Sequence, residues 1–320
     1  SAIAHLGQAA TDTASEVQAV VDAYAALLNA ADGVANGGAT LSVAQFQTLG
    51  LTVIDTTAEA LLLNAIADVG SSSSIDTYDE LTNLASIVNR LSIIAAGGIA
   101  SPALTAQDLE ALGITGVTSA NLSAVIAAIA ATANDGSGID SMAELQTVAN
   151  TGVANARATS LGIIAAYTGT NTAPTLADYQ NAEVAGVTSS NIAAINSVIA
   201  QLSTTASDSQ AEVQAVVDAY VLVVAAANGL ADGGASLGAA DYAALGLEII
   251  NTAAEVSLMN DVLDAKSVSG VDTYAELAAI ATAVSGVIAE ANGTNASPSL
   301  TVADFALLGI SGVTESDGDA

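Results

Sequence analysis

The chain has 320 residues and a formal net charge of -30, with 33 Asp and Glu against three Lys and Arg. Nucleic acid and anionic membranes are bound through clustered basic side chains, so this composition argues against both as partners. Cysteine is absent, which excludes disulfides and thiolate metal sites. No uninterrupted apolar run reaches the length of a membrane span, so we expect no membrane insertion.

An internal repeat organises the chain. Residues 15–24 (SEVQAVVDAY) return 196 residues later as residues 211–220 (AEVQAVVDAY). Inside this long period lies a shorter one, marked by glutamates at intervals of 64, 64, 68 and 64 residues. Periods of this length are typical of tandem helical arrays. The glutamates are Glu16, Glu80, Glu144, Glu212 and Glu276.

Each of these glutamates follows a Ser or Thr by three residues, as in the helix capping box. In that motif the hydroxyl accepts from a backbone N–H of the first turn, and the carboxylate bonds back to the cap residue. Capping explains the glutamates without a catalytic role. Five starts of a first helix are therefore predicted, at Thr13, Thr77, Ser141, Ser209 and Thr273.

A second, shorter helix is predicted about 25 to 30 residues after each first start. Its caps are Ser42, Thr105, Thr175, Gly238 and Thr301. The fourth residue after each cap is bulky, and we expect it to anchor the core: Phe46, Leu109, Tyr179, Tyr242 and Phe305. Four of these helices end at a Leu-Gly pair, a common terminator. The third unit has Ala182-Glu183 instead, which predicts a different cap.

Apolar residues at three- and four-residue spacing predict a third helix over 56–69, 119–133, 189–202 and 252–265. We therefore predict an all-α fold of tandem three-helix bundles of about 64 residues, stacked into a rod or solenoid. The expected units are 1–12 (the third helix of an incomplete unit), 13–75, 76–139, 140–208, 209–271, and 272–320 (an incomplete repeat that lacks its third helix).

The two partial units are complementary, because one supplies a third helix and the other lacks one. One hypothesis is that the N-terminal helix of one copy completes the last bundle of the next, giving a head-to-tail homopolymer. The alternative is that the sequence is a piece of a longer array, cut without regard to unit borders. The polymer interface predicted by the first hypothesis comprises Ile3, Leu6, Phe305, Leu308, Ile310 and Val313.

One acidic loop has the chemistry of a cation site. Residues 134–140 (NDGSGID) place the oxygen groups of Asp135, Ser137 and Asp140 at a spacing like that of calcium loops. The loop does not complete the EF-hand pattern, and turn chemistry explains the same residues without a metal. Calcium is thus a possible ligand, and no other cofactor is predicted.

Two further stretches carry a family resemblance. They are residues 112–129 (LGITGVTSANLSAVIAAI) and 138–148 (GIDSMAELQTV). The chain resembles the alanine-rich helical tandem repeats of large bacterial surface proteins and adhesins. It is less similar to the three-helix albumin-binding modules of Gram-positive surface proteins, which are rich in Lys. The first resemblance implies an extracellular or cell-surface location and a stalk, spacer or filament role.

Three classes of function can be compared at this point. A structural role uses the repeat, the acidic charge and the complementary ends. A binding module for a host protein or glycan predicts exposed Tyr at equivalent positions of successive units. An enzyme has no candidate constellation here, since His5 is the only histidine and its repeat equivalent is Gln201. We therefore predict a structural protein and no enzyme.

Overall fold

The structure is a computed structural model that describes residues 2–6, 11–38, 40–230, 233–234 and 236–314. Within these ranges it contains fourteen α-helices and no strand, which confirms the all-α prediction. In chain order they are α1 (Ala14–Ala30), α2 (Val43–Thr48), α3 (Thr57–Val69), α4 (Tyr78–Ala95), α5 (Ala106–Ala111), α6 (Leu122–Ala130), α7 (Met142–Ala165), α8 (Leu176–Asn181), α9 (Ile192–Ile199), α10 (Gln210–Ala226), α11 (Ala239–Ala244), α12 (Ala253–Asp264), α13 (Tyr274–Ala291) and α14 (Val302–Leu307).

The long first helices begin where the caps predicted. At Thr77 the hydroxyl accepts from the Glu80 N–H at 3.2 Å, and the Glu80 carboxylate accepts from the Thr77 N–H at 3.0 Å. The same reciprocal pair caps α1, α10 and α13. Single-turn 3₁₀ helices lie at Ala2–His5, Ser72–Ser74, Thr204–Ala206 and Val268–Gly270. The rest of the predicted N-terminal helix, residues 7–10, lies outside the described residues.

Two of the third helices begin later than predicted. Helix α6 starts at Leu122 rather than at residue 119, and α9 starts at Ile192 rather than at residue 189. The reason is a side-chain turn, because the Asn121 amide oxygen accepts from the Thr118 N–H at 2.8 Å. Asn191 makes the same bond to Thr188 at 2.7 Å. Asparagine often competes for backbone groups in this way and so delays a helix.

The prediction that the third unit ends its short helix differently is wrong. Glu183 adopts the left-handed conformation itself, with φ 58°, at the position where other units have glycine. Gly113 and Gly246 occupy it at φ 89° and 74°. A side chain in this region is disfavoured by the clash of its Cβ with the backbone. The chain keeps the turn and tolerates the strain.

The described chain forms two compact units, Ser1–Ala156 and Arg157–Ala320, which divide within α7. Each unit has its own core of small aliphatic side chains. In the first unit Leu27, Phe46 and Leu91 are completely buried. In the second unit Tyr179 and Tyr242 fill the equivalent volume.

Buried carboxylates fix the long loops that join first and second helices. The Asp68 carboxylate at the end of α3 accepts from the Gly37 and Gly38 N–H groups at 2.9 and 2.8 Å. These backbone bonds, with that of Gly37 the strongest, lower the pKa of Asp68. Asp264 accepts in the same way from Gly233 and Gly234, so the device recurs in both units.

Among the described helices, α13 alone is long and apolar enough to cross a membrane by length and composition. No comparable run was expected, because Glu276 and Glu290 interrupt the apolar residues. Leu277, Ile280 and Val284 of this helix are completely buried in the core of the second unit. These are the contacts of a core helix.

Candidate assembly site on repeat 5

In the complete repeats the bulky anchor of the short helix lies in the protein interior. Phe46, Leu109, Tyr179 and Tyr242 are all completely buried. The Tyr179 hydroxyl donates to the Asn196 side chain of α9 at 2.6 Å, so the third helix lies directly against the anchor. The sequence-based prediction of a core anchor is therefore confirmed for these four residues.

The fifth repeat leaves the equivalent face open, since its described residues contain no third helix. Phe305 is only half-buried there. Ile310, two residues past the end of the anchor helix, is 44% exposed. The aligned residues of the other repeats are 2 to 6% exposed: Leu51, Ile114, Val184 and Leu247. We call the surface formed by Phe305, Leu308, Ile310, Val313 and Val287 the repeat-5 face.

The long helix contributes to this face as well. Val287 of α13 is half-buried, whereas the aligned Leu27, Leu91 and Val223 are completely buried. Val313 is also half-buried, and Leu308 is 9% exposed. The structure thus brings together four of the predicted interface residues on one repeat, with Val287 as a neighbour that the prediction missed.

Helix α14 is held in the conformation of the complete repeats, although no described residue takes the place of a third helix over it. Its start carries a capping box, in which the Thr301 N–H donates to Asp304 at 2.7 Å. Its end is capped by Lys266, the only lysine, whose Nζ donates to the Leu307 carbonyl at 2.6 Å. Gly309 adopts φ 81° and closes the turn. The repeat-5 face is therefore a preformed surface.

The other two predicted interface residues lie at the N-terminal end, on the first unit. Leu6 packs partly buried against the core of that unit, while Ile3 is 39% exposed. The ring of His5 stacks on Tyr78, with centroids 4.4 Å apart and planes inclined by 14°. These contacts place the segment 2–6 on its own repeats 1 and 2.

Residues 198–202 make the corresponding contacts in the second unit. There Leu202 lies against Gly246 and the Tyr274 N–H donates to Ser197 at 2.9 Å. In the first unit Leu6 lies in the same way against Gly50, which is also next to Tyr78. The segment 2–6 therefore has the place that the last turn of a third helix has elsewhere in the chain.

Sequence reasoning missed an asparagine in the middle of three third helices. Asn64 bonds both backbone groups of Leu41, accepting at 3.0 Å and donating at 2.7 Å. Asn196 donates to the Pro174 carbonyl and Asn260 to the Leu237 carbonyl, each at 2.9 Å. All three acceptors directly precede the cap of the short helix. We call this contact the asparagine clamp.

Where the anchor is tyrosine, the clamp also accepts from its hydroxyl. Tyr179 bonds Asn196 and Tyr242 bonds Asn260, each at 2.6 Å. Burial raises the pKa of both tyrosines, so they remain neutral donors. A signal was present in the sequence, because each asparagine follows a Leu, Ile or Met and precedes an Ile or Val by two residues.

The predicted calcium loop is engaged in turn contacts. The Asp135 carboxylate accepts from the Ser137 N–H at 3.0 Å. Burial and the nearby Glu144 and Asp135 carboxylates raise the pKa of Asp140. No group of three or more acidic or histidine side chains suited to a metal ion occurs among the described residues. Calcium binding at this loop stays a prediction.

Comparison of the chain with family models, with curated proteins and with solved structures found no match.

Proposed function

We propose that this protein is an extracellular structural subunit that assembles head to tail. In this proposal the N-terminal segment of one copy covers the repeat-5 face of the next, and tandem three-helix bundles continue as a rod or solenoid across the junction. The observation that carries it is the exposure of Phe305 and Ile310 on a preformed helix, at positions that are buried in every complete repeat.

The position of the N-terminal segment supports the same arrangement. Residues 2–6 are docked on repeats 1 and 2 as residues 198–202 are docked on repeats 4 and 5. The last repeat of a neighbouring copy, on reaching repeat 1, would meet the end of a third helix already in position. Repetition of the junction between repeats 3 and 4 between two copies would thus bury the apolar surface at about 25 cal/mol per Å².

The aromatic residues favour this role over a binding module. All seven tyrosines lie in the described ranges, and none of them is exposed. A module that recognises a host protein or glycan through recurrent exposed Tyr would show the opposite pattern. The extracellular location follows from the resemblance to surface-protein repeats and from the acidic composition, which keeps an apolar repeat chain soluble.

Negative-stain electron microscopy of the purified chain tests the proposal. We expect filaments from the wild-type chain and single particles from a variant that lacks residues 1–10. An Ile3→Asp variant, which keeps the segment but charges its exposed apolar side chain, is expected to behave like the deletion. Filaments formed equally by the deletion variant would contradict helix complementation.

A further inference from the structure

We propose that the repeat-5 face selects a helix that carries an asparagine clamp. The partner is an amphipathic α-helix with the pattern Leu/Ile/Met-Asn-x-Ile/Val in its apolar stripe, and its asparagine side chain bonds the backbone of Leu300. This inference rests on the proposed function, in which a third-type helix covers the face in trans. It adds the chemistry by which that helix is recognised.

The type of anchor predicts the presence of the clamp. The three repeats with an aromatic anchor, Phe46, Tyr179 or Tyr242, have an asparagine in the third helix. The repeat with Leu109 as its anchor has Ala128 at the aligned position. Repeat 5 has the aromatic Phe305, so it belongs with the clamped repeats.

The acceptor for the clamp is in place on the repeat-5 face. Leu300 directly precedes the Thr301 cap, as Leu41 precedes Ser42 and Leu237 precedes Gly238. Among the described residues, none bonds the N–H or the carbonyl of Leu300. Gly286 of α13 lets the Leu300 side chain approach closely, since an added Cβ would lie 2.8 Å from it.

A clamp beside an apolar groove adds selectivity to the apolar contact. Covering Leu300 with a purely apolar helix would leave its two backbone groups without water or a partner, which is costly. An asparagine side chain offers one donor and one acceptor at once and satisfies both groups. Repeat 1 shows this bidentate arrangement, also with a phenylalanine anchor.

The position of the clamp relative to the N-terminal segment is informative. Ser1 aligns with Ser197, so the position that aligns with Asn196 comes immediately before the first residue of the sequence. Residues 1–10 alone therefore offer the apolar contacts of Ile3 and Leu6 without the clamp. A peptide of residues 1–10 is expected to bind the face more weakly than a clamped helix.

Binding of labelled synthetic helices to the full chain tests the inference. The first peptide covers residues 55–70, the α3 helix with its own capping box, and the second is the same peptide with Asn64→Leu. We expect the second to bind about tenfold more weakly or worse, since it leaves the Leu300 groups unpaired. A peptide of residues 118–133, which has Ala128 instead of asparagine, is the natural counterpart and is expected to bind weakly too.

Fluorescence anisotropy gives the affinities, and a chain with Phe305→Asp shows whether the peptide occupies the repeat-5 face. Leucine is more apolar and a better helix former than asparagine, so apolar contact alone predicts tighter binding of the Asn64→Leu peptide. Equal or tighter binding of that peptide, or no binding of either, would overturn the inference.

Failure of the inference and failure of the proposed function give different results. Asparagine-dependent peptide binding by a chain that stays monomeric at high concentration supports the clamp and contradicts head-to-tail assembly. Filaments from a chain that binds both peptides equally support assembly and overturn the clamp.

Discussion

Glu183 shows at the residue scale how the repeat tolerates a strained backbone. It is the one non-glycine residue with a positive φ in the described chain, and its carboxylate pairs with Arg157 at 2.9 Å on the surface. An exposed ion pair contributes at most about 1 kcal/mol, whereas the left-handed conformation costs about 1–2 kcal/mol for a residue with a Cβ.

Replacing this residue by glycine is therefore expected to stabilise the protein. We predict that Glu183→Gly raises the free energy of unfolding by about 1 kcal/mol, measured by urea denaturation. The matched control is Gly113→Ala at the aligned position of repeat 2. An added Cβ there meets only the Met142 side chain at 3.7 Å. This control should lose about 1 kcal/mol through conformation alone. Destabilisation by Glu183→Gly would show that the ion pair outweighs the strain.

The asparagine clamp is a second residue-scale feature with a measurable effect. Asn196→Leu removes the partner of both the Pro174 carbonyl and the Tyr179 hydroxyl. Because those groups are buried, we predict a loss of about 2–4 kcal/mol in the free energy of unfolding. The exposed Asn150 serves as a control, and Asn150→Leu should change stability by less than about 0.5 kcal/mol.

A double-mutant cycle with Tyr179→Phe isolates the hydroxyl contact. If the 2.6 Å bond between Tyr179 and Asn196 contributes as the geometry indicates, the two substitutions should couple by about 1 kcal/mol. Strict additivity would mean that the two side chains do not act together.

At the scale of single helices, the capping carboxylates make stability depend on pH. Hydrogen bonds from the Thr77 hydroxyl and then its N–H lower the pKa of Glu80 below its ordinary value of 4.5. A carboxyl whose pKa is lowered by folding contributes stability above its unfolded pKa, and that contribution is lost as pH falls through the folded value. The same hydroxyl contact lowers the pKa of Glu16, Glu144 and Glu212.

We therefore predict that the free energy of unfolding declines as pH is lowered below about 4.5, in parallel with these carboxyls. Thr77→Ala removes the hydroxyl that lowers the Glu80 pKa, so its stability at neutral pH should be lower and its pH slope shallower. Urea unfolding between neutral pH and about pH 3 measures both quantities. An unchanged slope would show that the cap does not couple to titration.

The helix starts were predictable from the sequence because they are local. A capping box such as Thr77 with Glu80 needs only four consecutive residues, and all five boxes of the first helices mark observed starts. The turn at Thr118–Asn121 used local chemistry too, but it competes with the apolar period that suggested an earlier start. Local signals of different kinds at one position could not be ranked from the sequence.

The candidate site was predictable only in part. The apolar residues of the repeat-5 face followed from alignment of the units, because Phe305 and Ile310 occupy core positions in every other repeat. The clamp joins Asn64 to Leu41 across 23 residues, and the pairing depends on how two helices pack. A contact of that kind leaves no local signal, although the recurrence of asparagine offered an indirect one.

For the whole molecule the dominant feature is the net charge of -30. Copies of such a chain repel one another, and salt screens this repulsion over a Debye length of about 8 Å at physiological ionic strength. We predict that head-to-tail association strengthens when NaCl is raised from about 0.02 M to about 0.5 M. Sedimentation velocity measures it. Weaker association at high salt would indicate a junction held by ion pairs rather than by apolar contact.

Two complementary variants test head-to-tail assembly most directly. One lacks residues 1–10 and keeps the repeat-5 face, whereas the other keeps the N-terminal segment and carries Phe305→Asp. Each has a single functional end, so the account predicts that each alone is monomeric in light scattering. An equimolar mixture is predicted to form a one-to-one dimer and to stop there. Polymers of either variant alone, or a mixture that stays monomeric, would contradict the account.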